Sequence, residues 1–311
     1  AVIGYGHLGK WHAEKAKHLE QSVLAGIVEP SPRHAAAARE KFPGVKVVEG
    51  LSEVIDEIDA GIIVTPTSTH GELAKELLEA GKHVFCEKPL VSTLKEVEEL
   101  EGLRASQAGA VFQVGHSERC HEIWENFDPY RNLLNDPLTM KFHRLAPFKG
   151  RATDVDVVQD LMIHDLDLLL WLTKDWPVSL RAEGMKSRTE HWDFVQCEVL
   201  FEDGWRAYLT VGRNWVREVR NIEVFHRDGV FEVDLLQKTF RYANPQEQDP
   251  EKYVEEMGYQ KRDHLLKEQE SFYNAIITGF PPMVSFEEGK DVVKLIESVL
   301  ASLEKGSWVD L

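Results

Sequence analysis

The stretch "QDLMIHDLDLLLWL", residues 159–172, is mostly apolar, yet it holds Asp160, His164, Asp165 and Asp167. Burying an ionisable side chain without a partner costs several kcal/mol. Asp160 and His164 lie four apart, so on a helix they share a face. Asp167 continues that stripe, and Asp165 turns about 100° from His164. The apolar residues Leu161, Met162, Leu168, Leu169 and Trp171 are left to meet a core. An imidazole with a carboxylate one turn away is the equipment of acid–base chemistry near neutral pH. The helix alone also fits a satisfied core histidine, with Asp165 and Asp167 as structural hydrogen-bond partners.

A second group of chemically useful residues opens the chain. "GYGHLG" at 4–9 fits G-x-G-x-x-G, follows a short apolar run and precedes a helical pattern. Glu29 ends the next apolar run, 20 residues beyond Gly9. Together these form a dinucleotide-binding fingerprint. Gly4 makes the tight turn, Gly6 admits the pyrophosphate, and Gly9 lets the helix pack closely, with His7 and Leu8 in the same loop. The helix N-terminus offers its amides to phosphate. Glu29 is placed to accept the adenosine ribose hydroxyls and to repel a 2′-phosphate. The expected cofactor is therefore NAD, with NADP possible because Ser31 and Arg33 lie close by. Thr65, Pro66, Thr67 and His70, in "VTPTSTH", end another strand at the edge where such sheets bind ligands.

These residues need a frame. Over the first third of the chain, short all-apolar runs alternate with helical patterns, which means a parallel sheet covered on both faces. Beyond residue 116 the pattern changes. "LTMKFHRL" reads as a strand, the 158–173 helix follows, and a run of strands comes next, with Asp-Gly hairpin signals in "FEDGWR" and "HRDGVF". Two amphipathic helices close the chain near 260–278 and 286–304. The expected fold is α/β: an N-terminal Rossmann parallel sheet over 1–117, then a C-terminal α+β domain over 118–311 with a large, mostly antiparallel open sheet. The last helix is a candidate to pack back on the first domain.

Composition narrows the function. Hydrophobic residues make up 43% and charged residues 29%, with a net charge of −17. That argues against nucleic-acid and anionic-membrane partners but leaves room for a small anion held by local cations. No run is long and apolar enough to span a membrane. The chain opens without Met inside an apolar run, so residues are expected to precede it. Cys86, Cys120 and Cys197 are far apart and read as reduced thiols of a cytoplasmic protein. No His/Cys cluster has metal-ligand spacing, so no metal is expected.

"CEKPL" at 86–90 joins "GYGHLG", "TPTSTH", "VGHSERC" at 114–120 and "DLMIHDLD" at 160–167. With these motifs the chain resembles the glucose–fructose oxidoreductase / inositol dehydrogenase / MocA (Gfo/Idh/MocA) family over most of its length, most strongly across 1–175. The resemblance implies an NAD(P)-dependent sugar or cyclitol dehydrogenase whose second-domain sheet forms an oligomer interface, hence a homodimer or homotetramer. It places the catalytic lysine at Lys88 and the helix-borne pair at Asp160 and His164. Glu87 and Lys88 also fall at the cofactor. His164 is then the expected acid/base and Lys88 the oxyanion stabiliser, or itself the base. "VGHSERC" and "APFKGRATDVDVVQDLMIHDLD" resemble the branch acting on the 3-hydroxyl of UDP-N-acetylglucosamine, although the residues after Arg119 depart from that branch's usual Phe-Asn-Pro. A UDP-sugar brings a diphosphate, for which Arg119, Lys149 and Arg151 are the nearest cations. His116 is expected in the cleft. The alternatives are a free sugar or cyclitol as substrate, and a dinucleotide-binding regulator without turnover.

Overall fold

The computed structural model describes residues 1–107, 109–135 and 137–311. They form two compact units, residues 1–120 with 263–293 and residues 121–262 with 294–311.

In the first unit the chain runs β1 (Val2–Ile3), α1 (His7–His18), β2 (Gly26–Val28), α2 (Pro32–Lys41), β3 (Lys46–Val48), β4 (Ala60–Ile63), α3 (His70–Glu79), β5 (His83–Glu87), α4 (Leu94–Ser106) and β6 (Phe112–Gly115). The strands pair in parallel in the order β3-β2-β1-β4-β5-β6. Adjacent residues feed opposite faces. Val2, Ile27, Ile62 and Phe85 join one core; Ile3, Val28, Ile63 and Cys86 join the other. This two-sided burial is why the strands read as continuous apolar runs. The order reverses between β1 and β4, so the ligand crevice lies beyond their carboxyl ends.

The second unit holds β7 (Thr139–Leu145), a wide helical turn at Val158–Met162 running into α5 (Ile163–Thr173), then β8 (Ser179–Met185), β9 (Phe194–Leu200), β10 (Arg206–Gly212), β11 (Val219–His226), β12 (Gly229–Asp234), β13 (Thr239–Ala243) and β14 (Val254–Gly258). Two helices follow, α6 (His264–Thr278) and α7 (Phe286–Lys305), and then β15 (Val309–Asp310). The nine strands are ordered β14-β13-β12-β11-β7-β10-β9-β8-β15. All pairings are antiparallel except β7 with β10. Both Asp-Gly signals close hairpins, β9–β10 and β11–β12.

The division differs from a split at 117/118. Residues 263–293 cluster with the first unit, where α6 buries Phe272 and Tyr273 in the core beside Phe85. Asp263 caps α6 by accepting from Leu266 N–H at 3.0 Å. Among the described residues no helix is long and apolar enough to cross a membrane.

Candidate active site

The glycine loop has the geometry its spacing requires. Gly4 has φ +96°, and a Cβ there would lie 2.7 Å from the Val64 carbonyl oxygen. A Cβ on Gly9 would lie 2.1 Å from the Gly4 oxygen. A Cβ on Gly6 would meet nothing within 4 Å. That opening is a cradle which any side chain would fill, at the N-terminus of a helix with no acidic residue in its first turn. His7 and Leu8 are exposed beside it. Glu29 is buried. Its carboxylate accepts from Tyr5 N–H at 2.7 Å and Ser31 N–H at 2.8 Å, which ties the glycine loop to the end of β2. Open backbone, aligned amides and a fixed carboxylate fit a dinucleotide.

Thr65, Pro66 and Thr67 follow β4 at the same edge, the two threonines partly exposed and Pro66 exposed. His70 does not line the opening. It is 1% exposed, and its ring nitrogens face the Pro89 oxygen at 2.8 Å and the Thr65 oxygen at 3.0 Å. It ties the ends of two strands.

Lys88 stands half-buried just past β5. Glu87, beside it, turns inward. Its carboxylate meets His12 Nε2 at 2.9 Å and Lys88 N–H at 3.2 Å. His12 is fully buried on α1, one turn past Gly9. Gln269 Nε2 donates to His12 Nδ1 at 2.9 Å and to the His12 oxygen at 3.0 Å. Tyr273 donates to Gln269 Oε1 at 3.1 Å, and burial pushes its phenol up to about 12. With the amide so oriented, His12 Nδ1 accepts and Nε2–H donates to Glu87. This buried chain fixes the strand end that carries Lys88. Sequence reasoning missed it; the available signal was a histidine on the inward face of α1.

His116 is 1% exposed in the turn after β6. Arg119 is held in an internal ion pair. Its side chain is 1% exposed and donates to Glu288 at 2.6 Å and to the Met283 oxygen at 3.3 Å.

In the second unit Asp160 sits in the wide turn and His164 in the first turn of α5, both partly exposed, while Met162, Ile163 and Leu166 to Leu169 are buried. Wide, π-type turns inside helices recur at functional sites. Asp165 is the structural partner expected: Arg144 Nε and Nη2 donate to its Oδ1 at 3.0 and 2.8 Å. Asp167 is fully buried. Asp160, Lys149 and Arg151 line one cleft, joined by Arg213, Glu218 and Arg220, which sequence reasoning missed. Arg213 is held by Asp193 at 2.7 Å, by Thr189 at 3.0 Å and by the Ala152 oxygen. Burial alone would raise the Asp193 carboxyl. The Arg188 N–H, the Arg213 guanidinium and the Ser187 and Thr189 N–H groups instead hold it far below the usual range.

Comparison with known proteins shows the family. Residues 1–116 match the model described as an oxidoreductase family with an NAD-binding Rossmann fold, and residues 139–232 match the GFO/IDH/MocA C-terminal domain. The UDP-N-acetylglucosamine 3-dehydrogenase of Acidithiobacillus ferrooxidans is 34% identical, over 97% of this chain and 96% of that protein. Its solved structure superposes with a TM-score of 0.89 at 32% identity, covering 98% of this chain and 97% of that one. The myo-inositol 2-dehydrogenase of Thermotoga maritima is 26% identical, over 100% of this chain and 97% of that protein. A scyllo-inositol dehydrogenase of Lactobacillus casei, solved with NAD(H) and scyllo-inositol, shares the fold with a TM-score of 0.83 at 22% identity, over 99% of this chain and 97% of that one. The chain belongs to the Gfo/Idh/MocA family of NAD-binding oxidoreductases.

Proposed function

We propose that this protein oxidises the 3-hydroxyl of UDP-N-acetylglucosamine, or of a related nucleotide sugar, with NAD as hydride acceptor. The reading is carried by the 34% identity to the UDP-N-acetylglucosamine 3-dehydrogenase over nearly the whole of both chains. A cleft that gathers cations beside Asp160 supports it, because a neutral sugar has no use for them.

NAD, when bound, supplies the acceptor for the hydride. Gly4, Gly6, His7, Leu8 and Gly9 hold its pyrophosphate, Glu29 its ribose, and Thr65, Pro66 and Thr67 the wall beyond. His164 takes the hydroxyl proton. Lys88 donates to the reacting oxygen and stabilises the charge that builds there. Asp160 orients the substrate. His116 serves the cleft through its turn, and Lys149 and Arg151 take the diphosphate through charge-assisted hydrogen bonds. The enzyme works as a homodimer or homotetramer in the cytoplasm; Cys86, Cys120 and Cys197 are buried free thiols, as a reducing compartment allows.

A second reading, oxidation of a free sugar or cyclitol, has support in the full-length likeness to the myo-inositol 2-dehydrogenase. A panel of UDP-N-acetylglucosamine, UDP-glucose, glucose and myo-inositol with NAD and NADP separates the two. Nicotinamide reduction at 340 nm is expected with the UDP-sugar and NAD. Turnover confined to inositol or glucose would select the second reading. Tight NAD binding without turnover on any sugar would leave a regulator.

A further inference from the structure

Five basic residues reach the cleft beside Asp160 in a chain whose net charge is −17. Arg144 pairs with Asp165 and Arg213 with Asp193. Arg220 lies directly across from Arg144 in the β11–β7 register. Like charges so placed destabilise a sheet unless each has its own counter-charge. Asp165 answers Arg144, on the α5 side.

On the open side, Lys149 forms an ion pair with Glu218, both about half exposed. Glu218 ends the β10–β11 connection and lines the same cleft as Arg151 and Arg220. Its carboxyl is held below the usual range, first by the hydrogen bond and charge of Lys149, then by the charges of Arg220 and Arg151. One carboxylate thus pairs with Lys149 at the mouth of a cleft that Arg151 and Arg220 also line.

We infer that Glu218 is an internal stand-in for the substrate's diphosphate: Lys149, Arg151 and Arg220 hold its carboxylate in the free protein and exchange it for phosphate oxygens when a nucleotide sugar binds. The inference rests on the nucleotide-sugar reading above and adds a selection rule to it. A ligand displaces Glu218 only by returning more charge to the three cations than one carboxylate gives. A diphosphate does so, and a neutral sugar or a monocarboxylate does not. The location suits the chemistry, since the diphosphate of a nucleotide sugar hangs from C1, two ring bonds from C3, and Asp160 shares the cleft.

Calorimetric titration of the full-length, NAD-saturated protein with UDP, and separately with inorganic pyrophosphate, tests this. Glu218→Gln should bind both ligands about two- to fivefold tighter than the parent, the scale of one exposed ion pair removed. Lys149→Ala and Arg220→Gln should bind both about tenfold weaker or worse. If Arg220→Gln does not fold by circular dichroism, the exposed Lys149→Ala carries that arm. A folded Glu218→Gln protein with unchanged or weaker affinity for both ligands overturns the inference, even if UDP-N-acetylglucosamine is oxidised. The expected pattern without turnover of any UDP-sugar overturns the substrate reading and leaves the anion subsite standing.

Discussion

Glu29 shows how one side chain sets cofactor choice. Both carboxylate oxygens are anchored by backbone N–H groups, so its negative charge is held at the end of β2. Replacing Glu29 with Ala removes the charge that repels a 2′-phosphate. The expected result is an NAD KM raised about tenfold and a kcat/KM ratio shifted toward NADP, read in steady-state assays with both cofactors. Lys88→Ala and His164→Ala should each lower kcat by about 10²–10⁴ with the far-UV circular dichroism spectrum unchanged. Near-parental turnover in either variant removes that residue from the mechanism. The pH profile of kcat/KM then assigns the base: loss of its acidic limb in His164→Ala marks the imidazole, and loss in the Lys88 variant marks the amine. At this scale the sequence was legible wherever backbone geometry dictates the residue, as at Gly4 and Gly9. It was less legible where a side chain has a choice of direction. Arg119, His70 and Glu87 all sit at ligand-edge motifs, yet each turns inward to a partner from elsewhere in the chain, Glu288, Pro89 and His12 respectively. A motif locates a Cα and leaves open which buried group will claim the side chain.

At the scale of elements, the β1–α1 turn has the least tolerance. Gly9→Ala would push a Cβ against the Gly4 carbonyl, and backbone cannot yield as a flexible side chain does. The expected cost is about 1–3 kcal/mol, seen as a lowered Tm, together with lost NAD binding in calorimetry. In the second unit Asp193 holds the 187–189 turn and Arg213 together. Its folded-state carboxyl lies below the ordinary 3.8. A depressed carboxyl stabilises the fold fully above its unfolded value, and that contribution is lost progressively as pH falls from there through the lower folded-state value. Asp193→Ala should therefore destabilise the protein by about 3–5 kcal/mol at pH 7, the loss of one partner of a buried pair. In denaturant melts the gap between the variant and the parent should narrow as pH falls below about 4; a gap independent of pH contradicts the assignment. Alternating and all-apolar runs made β1 to β13 readable, and the Asp-Gly pairs made two hairpins readable. β14 is mostly polar and exposed and β15 is two residues long, so neither leaves a pattern. The wide turn at Val158–Met162 also leaves none, because one changed hydrogen-bond step alters no residue type.

At the scale of the molecule, both architectures were legible from strand order and periodicity, and the first break near residue 117 was close to the one after residue 120, while the return of α6 to the first unit was not legible. The period of α6 reports which face is buried but not against which core, and that core proved to be the one holding Phe85. The nine-stranded sheet exposes one face laddered with ion pairs, Arg206 with Glu198, Arg181 with Glu183 and Arg241 with Glu232. Tyr208 is 40% exposed among them. Light scattering at low salt should give the mass of a dimer or tetramer, with weakening at high salt if these charges join the interface; a monomer at micromolar concentration contradicts an assembly through this face. The most direct test of the whole account follows one atom. UDP-N-acetylglucosamine carrying deuterium at C3 is incubated with the protein and NAD, and the reduced nicotinamide is analysed by mass spectrometry. The account predicts one deuterium on the nicotinamide and a 3-keto sugar product. Reduced cofactor without deuterium, or a sugar that keeps its label while cofactor is consumed, would contradict it.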